Sequence, residues 1–232
     1  MPLNKVKSGS NMYQGWITHT WNPLGGKCPH GCSYCSTNKF YYQNLIDKYS
    51  GPPRLIEKEL ETNLGSGNYI FVCAQADLFA EDINPKWVIK ILQHCEKYSN
   101  KYLYQTKNPK GFLDYGANIA STDNDFALCT TIETNRFYKE FMGNTPDPHK
   151  RAIYMSEIPL LEKYVTIEPI MDFDLNDLVK IIRYCKPKQV NIGADSGKNN
   201  LPEPDGDKIR ELIFRLEEYT IVKQKSNLKR LL

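Results

Sequence analysis

The chain has 232 residues, 41% hydrophobic and 25% charged, which is enough apolar material for a real core in one globular domain, here taken as residues 1–232. A formal charge of +3 is too small to argue by itself for nucleic acid, and no apolar run of about 18 residues is present to span a membrane. Residues 1–12 are polar and lack the apolar centre of a secretion signal, so a cytoplasmic protein with no membrane partner is expected.

Strand-like and helix-like patterns then alternate along the chain. Residues 15–22 (GWITHTWN) read as a first strand, followed by a cysteine-rich loop over 21–36 and helical patterns over 37–48 and 53–64. YIFVCA (69–74) is a buried strand, and Asn84 caps a helix with Pro85 at its first position, running to about residue 98. Strands are predicted at 102–106, 126–132, 164–170, 189–193 and 220–224. Helices are predicted at 147–161, at 175–185 with Asp174 as cap, and from Asp205 or Asp207 to about 219. The loop SGKNNLPEPDGD (196–207) has the composition of a flap. This alternation predicts an α/β fold, a partial (β/α) barrel of about six or seven parallel strands, with an open doubly wound sheet as the competing topology. The basic tail over 223–232, with Lys223, Lys225, Lys229 and Arg230, reads as a solvated end.

Three of the seven cysteines fall within eight residues, as Cys28-Pro-His-Gly-Cys32-Ser-Tyr-Cys35. Thiols crowded this closely in a reducing compartment call for a metal rather than a disulfide. Three thiolates can hold three irons of a [4Fe–4S] cluster and leave the fourth iron open for a ligand. Gly25, Gly26 and Gly31 supply the tight turns such a loop needs. The competing assignment is a Cys3His zinc site that adds His30, which would make the chain a zinc-stapled nucleic-acid-binding module whose tyrosines stack on bases. Cys73 and Cys129 lie inside apolar strand patterns and Cys95 and Cys185 late in helices, as buried small residues.

Barrels collect their chemistry at the C-terminal ends of strands. Those ends carry Gln75 and Asp77, Lys107, Thr131 and Glu133, Glu168, Asp195, and Lys223 in turn. Each is a polar group at one end of an otherwise apolar run, although Asp77 and Asp195 also suit helix caps. Tyr41 and Tyr42 read as core or as lining of a cofactor pocket, and Trp21 and Asn22 as braces of the cysteine loop.

The C-x3-C-x-Tyr-C loop after a first strand resembles the signature of the radical S-adenosylmethionine (SAM) superfamily. WNPLGGKC, FVCAQADLF, YQTKNP, TTIETN, TIEPIMDF and IGADSG, within residues 16–225, resemble a phage-associated branch of it whose barrel is of the spore photoproduct lyase style. The resemblance implies that Cys28, Cys32 and Cys35 hold a [4Fe–4S] cluster whose open iron binds SAM. It implies that an electron from a donor such as flavodoxin or ferredoxin cleaves SAM to a 5′-deoxyadenosyl radical. On the same basis Gln75 and Asp77 would meet the methionine ammonium, and Thr131 and Glu133 the ribose or methionyl group. Glu168 and Asp195 would face ribose or substrate, Lys107 the SAM carboxylate or an anionic substrate, and Lys223 the far side. Lys107, Glu168, Asp195 and Lys223 are the catalytic candidates. An incomplete barrel leaves room for a nucleic acid or protein substrate.

Overall fold

A computed structural model of the chain describes residues 3–7, 16–120, 124–159 and 162–232; the start of the predicted first strand and the end of the predicted 147–161 helix fall outside them. Among the described residues the strands are β1 (Asn4–Lys5), β2 (His19–Trp21), β3 (Leu24–Gly25), β4 (Arg54–Leu55), β5 (Tyr69–Val72), β6 (Lys101–Thr106), β7 (Phe126–Thr131), β8 (Lys163–Ile167), β9 (Gln189–Ile192) and β10 (Ile221–Gln224). Eight of them form one sheet in the order β1-β2-β5-β6-β7-β8-β9-β10. From β2 onward each pairs in parallel with the next, whereas β1 runs antiparallel to β2. The sheet is therefore one strand larger than predicted, because the short β1 adds to an edge. Its order never reverses, so there is no switch point of the kind that defines a doubly wound sheet. β1 and β10 each have a neighbour on one side only.

Side chains alternate across each strand, and the two faces have different fates. Ile70, Val72, Tyr102, Tyr104, Val165 and Val190 join a core with Val88, Ile91, Met155, Leu178 and Leu212 from the helices Pro85–Glu96, Pro148–Glu157, Leu175–Cys185 and Gly206–Glu217. Phe71, Leu103, Ala127, Cys129 and Tyr164 point the other way and form a smaller cluster with Ile17 and Trp16. The Trp16 ring lies 5.1 Å from that of Tyr69 and 5.2 Å from that of Tyr164, which lays an aromatic floor. Two residues further along the same face of β6 and β7 the apolar side chains give way to Gln105 and Thr131, which hydrogen-bond across the strands at 3.2 Å. Lys107 and Glu133 follow at the C-terminal end, so period two delivers an apolar floor and a polar rim from the same strands.

Four local expectations are corrected. Residues 53–64 are not one helix: after Pro52 and Pro53, β4 pairs antiparallel with β3 of the cysteine loop, and only the short 3-10 helix Glu57–Glu61 follows. Proline cannot donate a backbone hydrogen bond and disfavours a helical residue before it, which leaves this stretch free to clamp the loop. Asp174 stands at the N-cap of its helix, but its carboxylate accepts from Arg136 and Asn135 instead of the helix backbone. Asp205, not Asp207, caps the last long helix, accepting from Lys208 N at 2.8 Å. Tyr41 and Tyr42 are neither core nor pocket wall, being 90% and 72% exposed. No helix among the described residues is long and apolar enough to cross a membrane.

Candidate active site

The cysteine loop leaves β2 at Trp21, whose ring is buried and whose Nε1 donates to Glu59 O at 3.2 Å. Asn22 Oδ1 accepts from Gln75 N, tying the loop's first residues to the end of β5. Gly26 and Gly31 both have left-handed backbones, φ 83° and 64°. Gly25 is required by space instead, since a Cβ there would sit 2.7 Å from Lys48 O. The result is a cavity of about 710 Å³ at the C-terminal end of β5, β6 and β7. Cys28, Cys32 and Cys35 all line it, together with Gln75, Asp77, Gln105, Lys107 and Thr131.

Two buried carboxylates fix its walls, and neither points a free oxygen inward. Asp77 Oδ2 accepts from His30 Nε2 at 2.7 Å and from Lys107 N at 2.8 Å, and Oδ1 accepts from Phe79 N at 3.0 Å. Burial alone would raise the Asp77 carboxyl, but His30 and these donors hold it below its ordinary value. Glu133 is wholly buried: Oε1 accepts from Tyr34 OH at 2.6 Å and from Lys107 Nζ at 2.6 Å, and Oε2 accepts from Arg151 Nη1 at 2.7 Å. Burial opposes its charge as well, yet Arg151 and Lys107 hold it well below the usual carboxylate range. Arg151, also wholly buried, donates further to Pro146 O, Thr131 O and Thr145 Oγ1, so each nitrogen of its guanidinium is bonded. Lys107 Nζ completes the group, 2.8 Å from Tyr34 OH, 4.4 Å from the centre of that ring and 3.6 Å from Cys32 Sγ. Burial works against this ammonium, but Glu133 and Tyr34 beside it raise it well above the ordinary lysine value.

The other strand-end candidates fall elsewhere. Glu168 pairs with Lys225 across β8 and β10, beside Gly193, where a Cβ would come within 2.8 Å of Glu168 Oε1. Asp195 folds its own loop, accepting from Gly197 N at 2.8 Å and from Asn199, and Lys39 bonds Gly197 O to join that loop to the cysteine segment. The predicted flap is thus anchored at its start. Lys223 is exposed on β10 opposite Asn191. In the tail, Lys225 and Arg230 are paired, with Glu168 and Glu203. Sequence reading misses Arg151 and Gln105. Arg151 shares the buried face of its helix with Ala152 and Met155, and a lone arginine on an apolar stripe is the signal. Gln105 follows from strand alternation, two residues before Lys107.

Residues 13–205 match the family model described as protein of unknown function, DUF5131. The chain belongs to the DUF5131 family. No curated protein matches this DUF5131 chain. Among solved structures, a cysteine-to-alanine mutant of spore photoproduct lyase aligns with a TM-score of 0.59 at 10% identity, over 97% of this chain and 81% of that one. A tyrosine-to-phenylalanine mutant of the same enzyme aligns at 0.55 and 10% identity over 97% and 81%. A third, with bound AdoMet and dinucleoside spore photoproduct, aligns at 0.51 and 11% identity over 88% and 62%. At these identities the likeness is one of fold, and the DUF5131 chain has that α/β fold along nearly its whole length.

Cys28, Cys32 and Cys35 bring three thiols to the DUF5131 cavity, a donor set that suits a metal group. The seven cysteines are free thiols. Cys32 Sγ donates a weak bond to Met142 O at 3.5 Å and Cys35 Sγ lies 3.0 Å from Thr37 Oγ1. Burial, reinforced by the Asp77 carboxylate, pushes the Cys28 thiol up to about 12, so a thiolate there needs a cationic ligand. Among the described residues no three His, Cys, Asp or Glu side chains are already grouped to hold a metal ion.

Two predictions follow from this geometry. Gly26→Ala forces a Cβ to within 2.0 Å of Pro52 O at φ 83°, and should cost about 2 kcal/mol or more, lowering the thermal midpoint by at least about 4 °C; an unchanged midpoint contradicts the packing. Arg151→Met leaves Glu133 buried beside one cation in place of two and should cost about 3–5 kcal/mol in urea unfolding at neutral pH. Because Glu133 is depressed in the folded protein, its contribution is present above the ordinary carboxylate range and lost as pH falls below it. The gap between wild type and Arg151→Met should therefore narrow in acid, and a constant gap excludes Glu133 as the partner.

Proposed function

We propose that the protein is a radical SAM enzyme built on an incomplete β/α barrel. Cys28, Cys32 and Cys35 hold a [4Fe–4S] cluster, and SAM occupies the adjoining cavity. The observation that carries this reading is that three thiols in C-x3-C-x-Tyr-C spacing line one cavity at the C-terminal end of a parallel sheet with the fold of spore photoproduct lyase. When bound, such a cluster and SAM supply one-electron cleavage to a 5′-deoxyadenosyl radical, with the electron coming from flavodoxin, ferredoxin or a chemical reductant.

The chain's own residues bind, orient and shield. Gln75, Gln105 and Thr131 are among the neutral polar groups lining the cavity, and they suit the ammonium, carboxylate and hydroxyls of SAM. Asp77 holds the cavity wall through His30 and the Lys107 backbone, and Glu133 holds it through Tyr34 and Lys107. Both carboxylates therefore act by positioning, with their oxygens engaged by protein donors. The aromatic floor of Trp16, Tyr69 and Tyr164 packs across the opposite end of the strands. The substrate approaches over β8 to β10, whose ends carry the Glu168–Lys225 pair, the Asp195 loop and the exposed Lys223. A nucleic acid is the substrate class favoured, because a solved structure of the same fold carries AdoMet with a dinucleoside photoproduct.

Anaerobic reconstitution should give a brown protein with about four irons and four sulfides per chain. With dithionite and SAM it should form 5′-deoxyadenosine, and turnover should rise with nucleic acid rather than with peptides. Cys32→Ala should lose cluster and cleavage together. A colourless protein holding a single zinc, or SAM cleavage undiminished in Cys32→Ala, refutes the assignment.

A further inference from the structure

Lys107 occupies a place that the SAM-contact reading does not account for. Its ammonium has three N–H donors, and the structure gives it three acceptors: Glu133 Oε1 at 2.6 Å, Tyr34 OH at 2.8 Å and Cys32 Sγ at 3.6 Å. The Tyr34 hydroxyl donates to the same Glu133 oxygen, so its own oxygen remains to accept from lysine. Arg151 meanwhile holds the other oxygen of Glu133. The ammonium is thus pinned from two sides, and the third donor points at a sulfur.

Charge accounts for the direction of that third contact. One buried carboxylate faces two cations, Lys107 and Arg151, which leaves a surplus positive charge. The Arg151 donors are satisfied by carbonyls, Thr145 and Glu133, so the surplus is expressed at Lys107. The three loop thiols are not equivalent in this field. Cys28 feels the Asp77 carboxylate, and Cys35 has the neutral Thr37 hydroxyl. Cys32 has the ammonium.

We infer that Lys107, fixed by Glu133 and Tyr34, is a positioning residue that donates a charged hydrogen bond to the Cys32 sulfur and so makes the cluster easier to reduce. This rests on the cluster-binding reading above. Reduction adds one negative charge to the cluster and its thiolates. A cation and an N–H···S bond at one thiolate stabilise the reduced form more than the oxidised form, because cluster potentials follow net charge and hydrogen bonds to sulfur. Lys107 gives up no proton in this role. It serves as a fixed charge, ion-paired with Glu133 at 2.6 Å.

The test is a redox titration without SAM, on anaerobically reconstituted wild type, Lys107→Gln and Lys107→Arg, with iron and sulfide measured on each sample. Dithionite supplies one electron per cluster, and the reduced form is counted by electron paramagnetic resonance. Lys107→Gln at full iron content should have a more negative midpoint than wild type, and Lys107→Arg should return most of the shift. Loss of iron in the glutamine variant but not in the arginine variant also supports a requirement for the charge. An unchanged midpoint in Lys107→Gln at full iron content overturns the inference and leaves the cluster-binding reading standing. Loss of iron in both variants overturns it as well, since the side chain would then serve by shape. Failure of the wild type to bind iron removes the underlying reading itself, and the iron analysis distinguishes that failure from the others.

Discussion

A carboxylate with no solvent contact, held between an arginine and a lysine, is the constraint on which the rest of the site depends. Glu133 reaches in from the end of β7, Lys107 from the end of β6, Arg151 from the helix Pro148–Glu157 and Tyr34 from the cysteine loop. Ionic groups removed from water gain little net stability, because desolvation offsets most of their attraction. Breaking such a group is costly, because what remains is an uncompensated charge. The network therefore contributes less to how stable the fold is than to which arrangement it adopts. Any placement of the loop that withdrew the Tyr34 hydroxyl would remove one of the donors on which the Glu133 charge relies.

Asp77 repeats the logic on the other wall. It joins His30 of the loop to the first residues after β5 and β6. Asp77 and Glu133 are thus engaged by protein donors, and the neutral groups left lining the cavity include the Gln75 and Gln105 amides and the Thr131 hydroxyl. A cavity lined this way meets a zwitterion such as SAM with neutral hydrogen-bonding groups. The Lys107 ammonium lies beside the Cys32 sulfur, so the local charge is positive at that one thiol, whereas Cys28 faces the Asp77 carboxylate.

Much of this was legible in the sequence, for identifiable reasons. Strand–helix alternation carries topology, since parallel neighbours need crossovers, and the polar residues closing FVCAQAD, YQTK, TTIET and VNIGAD all fall at one end of the sheet. Alternation also places Gln105 and Thr131 on one face. What the sequence could not convey is which partner each polar group finds. Asp77 and Glu133 have the composition of ligand contacts, yet both are bonded to residues from other elements of the fold, brought to them by folding. Residues 53–64 carry a helical apolar pattern that the proline pair and pairing with β3 override. Tyr41 and Tyr42 look like core by composition, but they leave the loop on its outer side because Phe40 and Tyr49 take the inner positions, their rings 5.4 Å apart.

The sheet order then divides the labour. Because the strands follow in sequence without reversal, the loops after β2, β5, β6 and β7 are neighbours, and they enclose the cavity that holds the thiols. The loops after β8, β9 and β10 form a second polar group, organised by Glu168 with Lys225 and by the Asp195 turn. The bond from Lys39 to Gly197 O brings the two halves together, linking the segment after the cysteines with the loop after β9. The same monotonic order that makes the fold recognisable therefore sets the cysteine cavity and the Glu168–Asp195 group side by side along the strand ends.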